Sequence, residues 1–227
     1  MANNTEPMAE QLYGAMSTLR AVRRLRTDPI PDAVRDRILQ AAAWAPSGGN
    51  VQPWRVVVVQ NEAQRRAIGD MYRIEWARYG ADARQGLQHL SGEVLEKQKR
   101  TLAAADHLGE HMGDAPIILV FCFNPENMAI TDADLGRPSV VGGGSVYPAV
   151  QNVMLACRVE GIGCTLTTLL CFQETALRDL LGIPDPWYTC AFLPIGYPAL
   201  GGHGPISRRG VDKLCYLDGW GQRLKGP

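Results

Sequence analysis

The 227-residue sequence predicts one α+β domain over residues 1–227. Helical and extended patterns alternate irregularly, with no repeated βα unit. No internal repeat, low-complexity tract or shift of composition divides the chain. At this length an apolar content of 46% supplies one proper core.

The elements follow in order. Met8–Leu19 carries Leu12, Ala15, Met16 and Leu19 as a helical stripe. Asp32 is placed to cap a second helix running to Trp44, with Pro31 ahead of it and Val34, Ile38, Leu39 and Ala42 on one face. Ala45–Trp54 is a loop into the β-branched strand Arg55–Val59. From Asn61 to about Met112 the chain is polar and helical, with breaks expected at Gly80 and Gly109 and a further candidate at Gly92. Its later part, from about 71 to 112, reads as a surface excursion or lid. Ile117–Phe123 is an apolar strand between Pro116 and Pro125, and Asn124–Gly144 is irregular. Ser145–Glu160 reads as a buried helix lined by Val146, Ala149, Val150, Val153, Met154 and Cys157, stopped by Gly161-Ile162-Gly163. An extended piece through Thr168 precedes a helix over Gln173–Leu181, closed by Gly182 and Pro184. Trp187–Ile195 is a strand, and a Pro/Gly-rich loop leads to an extended segment, Gly210–Leu217.

Composition narrows the function. Lysine plus arginine and aspartate plus glutamate both number 23, which argues against a nucleic-acid or membrane-surface protein. The longest apolar run, Ile117–Phe123, is far too short to span a bilayer. The opening Met-Ala-Asn-Asn-Thr-Glu-Pro has neither a positive n-region nor an apolar h-region, so a cytoplasmic location is expected. Cysteines at 122, 157, 164, 171, 190 and 215 form no close pairs, as expected of reduced thiols.

The decapeptide Ala45–Trp54, Ala-Pro-Ser-Gly-Gly-Asn-Val-Gln-Pro-Trp, is the most informative stretch. Its small residues let a ligand approach the backbone, Asn50 and Gln52 add two amides, and Trp54 offers an aromatic wall. An ordinary connecting turn is the competing reading. Two arginine clusters, Arg20/Arg23/Arg24 and Arg208/Arg209, would hold a phosphate dianion if they converged, although their spacing does not show that they meet. Leu166-Thr167-Thr168 places two hydroxyls at the end of an extended segment, where strand propensity alone also favours threonine. Gly142-Gly143-Gly144 lacks the Gly-Lys-Ser/Thr sequel of a phosphate loop. His107 and His111 with Glu110 have metal-ligand spacing but no third ligand. No Gly-x-Ser-x-Gly elbow or Cys–His neighbour pair marks a side-chain nucleophile.

Together these pieces resemble the FMN-dependent nitroreductase superfamily across nearly the whole chain. Arg20-Ala-Val-Arg23-Arg24 with Pro29-Ile-Pro31 is similar to the family's N-terminal arginine element. Ala45–Trp54 resembles its flavin loop, and Ser145-x-x-Pro148-Ala-x-x-Asn152 with Gly161-Ile162-Gly163 its central helix. Leu193-Pro-Ile-Gly196-Tyr-Pro198 and Ser207-Arg208-Arg209 resemble its closing strand and second arginine site. The resemblance implies a nitroreductase-like α+β fold, a mixed, mostly antiparallel sheet flanked by helices, and an intertwined homodimer with two FMN sites. Arg20, the backbone at Ala21, Arg23, Arg208 and, less directly, Arg209 would hold FMN, while Pro46, Ser47, Gly48 and Asn50 would reach the partner's flavin. Leu166, Thr167 and Thr168 would lie at the N5 edge, with either threonine tuning the flavin and Arg23 near N1 and O2. Leu19 and Ala21 depart from the family's arginine and serine there, and Arg24 is the candidate to compensate.

The implied activity is NAD(P)H-dependent: NADPH or NADH gives hydride to N5, and a nitroaromatic, quinone or related small-molecule acceptor then takes the electrons in a ping-pong cycle. No side chain need act as acid or base in the first half-reaction. Tyr72, Trp76 and Tyr79 would stack on the acceptor, with Arg73 and Arg78 as anion contacts and outside options for the flavin cation. Two alternatives stand. Glu75 and Tyr79 have the spacing of the lid pair in the halotyrosine-dehalogenating branch, and a non-catalytic flavin store shares the binding elements.

Overall fold

The computed structural model describes residues 5–224, with side chains from Met8. Residues 1–4 and 225–227, which the single-domain and N-terminal readings include, lie outside it. Seven helices and four strands run in the order α1 (Thr5–Thr18), α2 (Asp32–Ala43), β1 (Trp54–Val59), α3 (Glu62–Gly86), α4 (Gly92–His111), β2 (Ile117–Phe123), α5 (Tyr147–Val159), β3 (Gly163–Cys164), α6 (Glu174–Leu181), β4 (Tyr188–Gly196) and α7 (Val211–Leu214). The strands form one sheet in the order β1-β2-β4-β3. Every pairing among the described strands is antiparallel, in keeping with the mostly antiparallel sheet that the resemblance implies.

The apolar run of β2 is explained by burial on both faces. Ile117, Leu119 and Phe121 face one core with Ile38 and Ala42 of α2 and Ala149, Val150 and Val153 of α5. Ile118, Val120 and Cys122 face a second core with Ile68 and Tyr72 of α3, Leu108 of α4 and Leu177 of α6. The central helix α5 is tied to α2 by Asn152, whose amide donates to the Ala41 carbonyl at 3.0 Å. Among the described residues no helix is long and apolar enough to cross a membrane.

Several boundaries differ from expectation. Pro31, not Asp32, precedes the first turn of α2, and the Asp32 carboxylate is taken by Arg35 at 2.7 Å instead of capping backbone amides. The helices run through Gly80 and Gly109 without a break. A β-carbon at Gly109 would run into the Trp76 indole, so that glycine admits close packing of α3 on α4, whereas one at Gly80 would crowd Arg84 and Trp76 of its own helix. The break falls at the 3-10 turn Leu87–His89, and Gly92 starts α4 with φ +58°. The block is also less of an excursion than expected, because Ile68, Tyr72, Leu108 and Met112 are core residues. Ser145 ends a 3-10 turn, Val141–Ser145, ahead of α5, and Gln173 ends another, Leu169–Gln173, ahead of α6. The C-terminal segment expected to be extended contains α7. Ala15 of α1 and Leu19 just beyond its end are buried, while Leu12 and Met16 of the expected stripe are exposed.

Candidate active site

The site is built from the segment after α1, the run Thr165–Leu169, and the facing sides of α3 and α4. The arginine segment lies along the sheet: the Val22 amide donates to the Cys164 carbonyl at 2.9 Å and the Arg26 amide to the Tyr197 carbonyl at 2.8 Å. Gly163 permits this approach, since a β-carbon there would meet Val22 at 2.7 Å. With Val22 anchored inward, Arg20, Arg23 and Arg24 line a cleft of about 290 Å³. Arg20 is oriented by donating through Nε to the Gly202 carbonyl at 2.7 Å. Lys97, Arg100 and Thr101 of α4 form the opposite wall, and no carboxylate lines the cleft.

A second cavity of about 540 Å³ adjoins it, with Arg23 and Thr101 lining both. Tyr72, Trp76 and Tyr79 converge here as expected, with Leu102, Ala105 and Leu108 from α4 and Thr165–Leu169 beneath. Tyr72 is 3% exposed, and burial pushes its phenol up against the opposing effects of the Thr167 hydrogen bond and the Arg23 charge. Trp76 is locked by its Nε1–H to Asp106 at 2.8 Å, and Arg84 donates to the same carboxylate oxygen. Tyr79, 59% exposed, stands at the mouth with its ring 6.0 Å from that of Trp76.

The two threonines differ. Thr167 pairs with Phe192 through both backbone groups, and its hydroxyl accepts from the Leu169 amide at 3.4 Å. Thr168 is exposed, lines the cavity, and has no side-chain partner among the described residues. Arg73 and Arg78 line neither cavity: Arg73 pairs with Asp70 at 2.8 Å and Arg78 with Glu75 at 3.1 Å. Buried Glu75 also accepts from Gln173 and does not line the cavity that Tyr79 opens onto.

The Ala45–Trp54 loop faces outward. Pro46, Gly48 and Asn50 are exposed and Ser47 half-buried, and none lines a cavity of its own chain. Gly49, Asn50 and Gln52 have φ of +57°, +55° and +50°. The fold is held by the Gln52 amide donating to Ser47 Oγ at 2.9 Å and the Gly48 amide donating to Ser145 Oγ at 3.0 Å. Trp54 is not the expected wall of a site, for it packs against the first core. Arg208 and Arg209 are exposed and line neither cavity, and Arg208 donates to its own neighbour, the Ser207 carbonyl. Their loop is nonetheless attached beside the first cluster, where the Gly204 amide donates to the Thr18 carbonyl at 3.0 Å. His107 and His111 stack at 4.4 Å, and among the described residues no group of three His, Cys, Asp or Glu side chains assembles for a metal.

Sequence reasoning missed Lys97, Arg100, Thr101 and Thr165. The i, i+3, i+4 spacing of Lys97, Arg100 and Thr101 was readable, but only the fold shows what that face meets.

The sequence profile of the nitroreductase family matches residues 18–197. The chain is 33% identical to 5,6-dimethylbenzimidazole synthase of Rhodospirillum rubrum over 79% of this chain and 78% of that protein. It is 28% identical to an NADH dehydrogenase of Thermus thermophilus over 86% and 90%. It is 25% identical to iodotyrosine deiodinase 1 of Rattus norvegicus over 91% and 69%. A nitroreductase from Desulfitobacterium hafniense, solved with bound FMN, superposes with a TM-score of 0.66 at 18% identity, covering 92% of this chain and 98% of that one. The chain belongs to the nitroreductase family.

Proposed function

We propose that the protein is an FMN-dependent, NAD(P)H-consuming oxidoreductase that acts on a small aromatic or quinone acceptor as a homodimer. The observation that carries this reading is an acid-free cationic cleft opening through Arg23 into an aromatic cavity. A phosphate and a planar ring on one molecule match that pair of spaces. The residues present therefore fit FMN, with Arg20, Arg23 and the Ala21 backbone at the phosphate and ribityl end and Leu166–Thr168 at the ring. Arg208 and Arg209 serve as outer phosphate contacts. When bound, FMN supplies the redox chemistry, accepting hydride from NAD(P)H and passing the electrons to the acceptor.

The chain's own groups bind and orient. Arg23 sets a positive charge at the junction of the two spaces. At the ring edge Thr168 offers a hydroxyl with no side-chain partner among the described residues, whereas that of Thr167 accepts from the Leu169 amide. Trp76, held by Asp106, is a fixed wall, and Tyr79 the mobile-sided partner for an incoming ring. The outward loop Pro46–Asn50 serves the partner subunit's flavin.

Dehalogenation of a halotyrosine is less well supported, because Glu75 is turned onto Gln173 and Arg78 instead of standing with Tyr79. Protein purified from an expression host should be yellow, and should oxidise NADH or NADPH with nitroaromatic and quinone acceptors faster than with halotyrosines. A colourless protein that binds no added FMN overturns the reading. Bound FMN without turnover of any acceptor favours storage.

A further inference from the structure

The two cations contributed by α4 are more than a flavin phosphate needs. Five basic side chains line the cleft, and Arg20, Arg23 and Arg24 already supply three positive charges to a phosphate of about −2. The rest of the α3–α4 pair treats its basic residues differently. Arg66, Arg73, Arg78, Arg84 and Lys99 are each in a salt bridge with an acid on the same two helices. Arg65 donates to the Gly113 and Ala115 carbonyls. Lys97 and Arg100 have no carboxylate partner among the described residues, and they are the two that face the cleft. Lys97 lies two positions from the paired Lys99, on another face of the same helix. Their neighbour Thr101 lines both spaces, so a molecule stacked in the aromatic cavity has a continuous path to them.

We infer that Lys97 and Arg100 form a second anion subsite, distinct from the flavin-phosphate grip, that takes an anionic group of the co-substrate stacked against Tyr79. The inference rests on the flavin site proposed above. The shared chemistry is a phosphate or carboxylate on an arm attached to a ring system. Two sources carry it: the phosphates of the reductant, in particular the extra phosphate that separates NADPH from NADH, or an acidic arm on the acceptor.

The test uses the FMN-loaded protein and the variant Lys97→Gln/Arg100→Gln, with Lys99→Gln as control. Calorimetric titrations compare NADP+ with NAD+, and 4-nitrobenzoate with 4-nitrobenzamide, while kcat/KM ratios are measured for NADPH against NADH and for the same two acceptors. The expected result is a charged-over-neutral preference in one arm that falls about tenfold or more in the double variant. FMN affinity and the ratios of the Lys99 control are then unchanged. The arm that responds identifies the source. No preference in either arm, a preference that survives the double substitution, or a parallel loss of FMN affinity overturns the inference. If FMN fails to load at all, the flavin reading fails on its own, and calorimetry still reports whether these cations select charge.

Discussion

Gly109 and Gly86 look alike in sequence and are opposites in the folded chain. A β-carbon at Gly109 would run into the Trp76 ring, whereas Gly86, at the helical end of α3, faces open space. Gly109→Ala should therefore destabilise by about 1–3 kcal/mol through overpacking, and Gly86→Ala should stabilise by about 0.5–1 kcal/mol through chain entropy. Urea denaturation of the two variants reads both signs. Asp132 is the other informative single residue. It is 2% exposed and accepts from Ser139 Oγ at 2.6 Å, the Val140 amide at 3.0 Å and Arg137 at 2.8 Å. The Ser139 and Val140 bonds, with Arg137 behind them, hold its carboxyl down from 3.8 to about 2. A depressed carboxylate stabilises the fold above its ordinary value, and that contribution is lost as the pH falls through the folded one. Denaturation midpoints should thus drop between about pH 4 and pH 2, and Asp132→Asn should flatten that part of the profile while lowering stability near neutrality.

The 3-10 turn Val141–Ser145 connects the Asp132 cluster to the Ala45–Trp54 loop. Its first residues follow Val140, which Asp132 holds, and its last, Ser145, accepts the Gly48 amide at 3.0 Å. Ser145→Ala should cost about 1 kcal/mol of loop order, read as roughly fivefold weaker FMN binding by fluorescence titration. Short apolar and β-branched runs were readable from sequence: β2 matches its expected limits, Ile117–Phe123, β1 starts one residue earlier than expected, and β4 is off by one residue at each end. The continuous apolar run of β2 was legible because burial of both its faces asks for an apolar residue at every position. The α3–α4 hairpin was misdivided because a glycine that breaks a helix and one that admits a neighbouring indole write the same letter. The arginine clusters were visible as charge, while the acid-free cleft they share with α4 arises only from tertiary packing.

Considered as a whole, the described part of the chain leaves several large apolar side chains exposed to water. Leu12, Tyr13, Met16 and Val51 are exposed, Trp44 is 74% exposed and Trp220 92%. This fits the proposed homodimer, in which the outward loop completes a neighbour's site. Sedimentation should give a dimer, and dilution into the monomer range should release FMN in step with dissociation. FMN retained by a monomer would contradict that coupling. The sheet order carries another consequence, for how the molecule is made. The one sheet neighbour of β1 among the described strands lies beyond the α3–α4 hairpin, and the second neighbour of β2 lies beyond α5 and α6. Contacts so distant in sequence close late, after the loop entropy between them has been overcome. On a nascent chain the helical hairpin should form early, while one edge of Ile117–Phe123 stays unpaired until β4 emerges. A chain cut short before Tyr188 would present that strand to its neighbours, and aggregation is its expected fate.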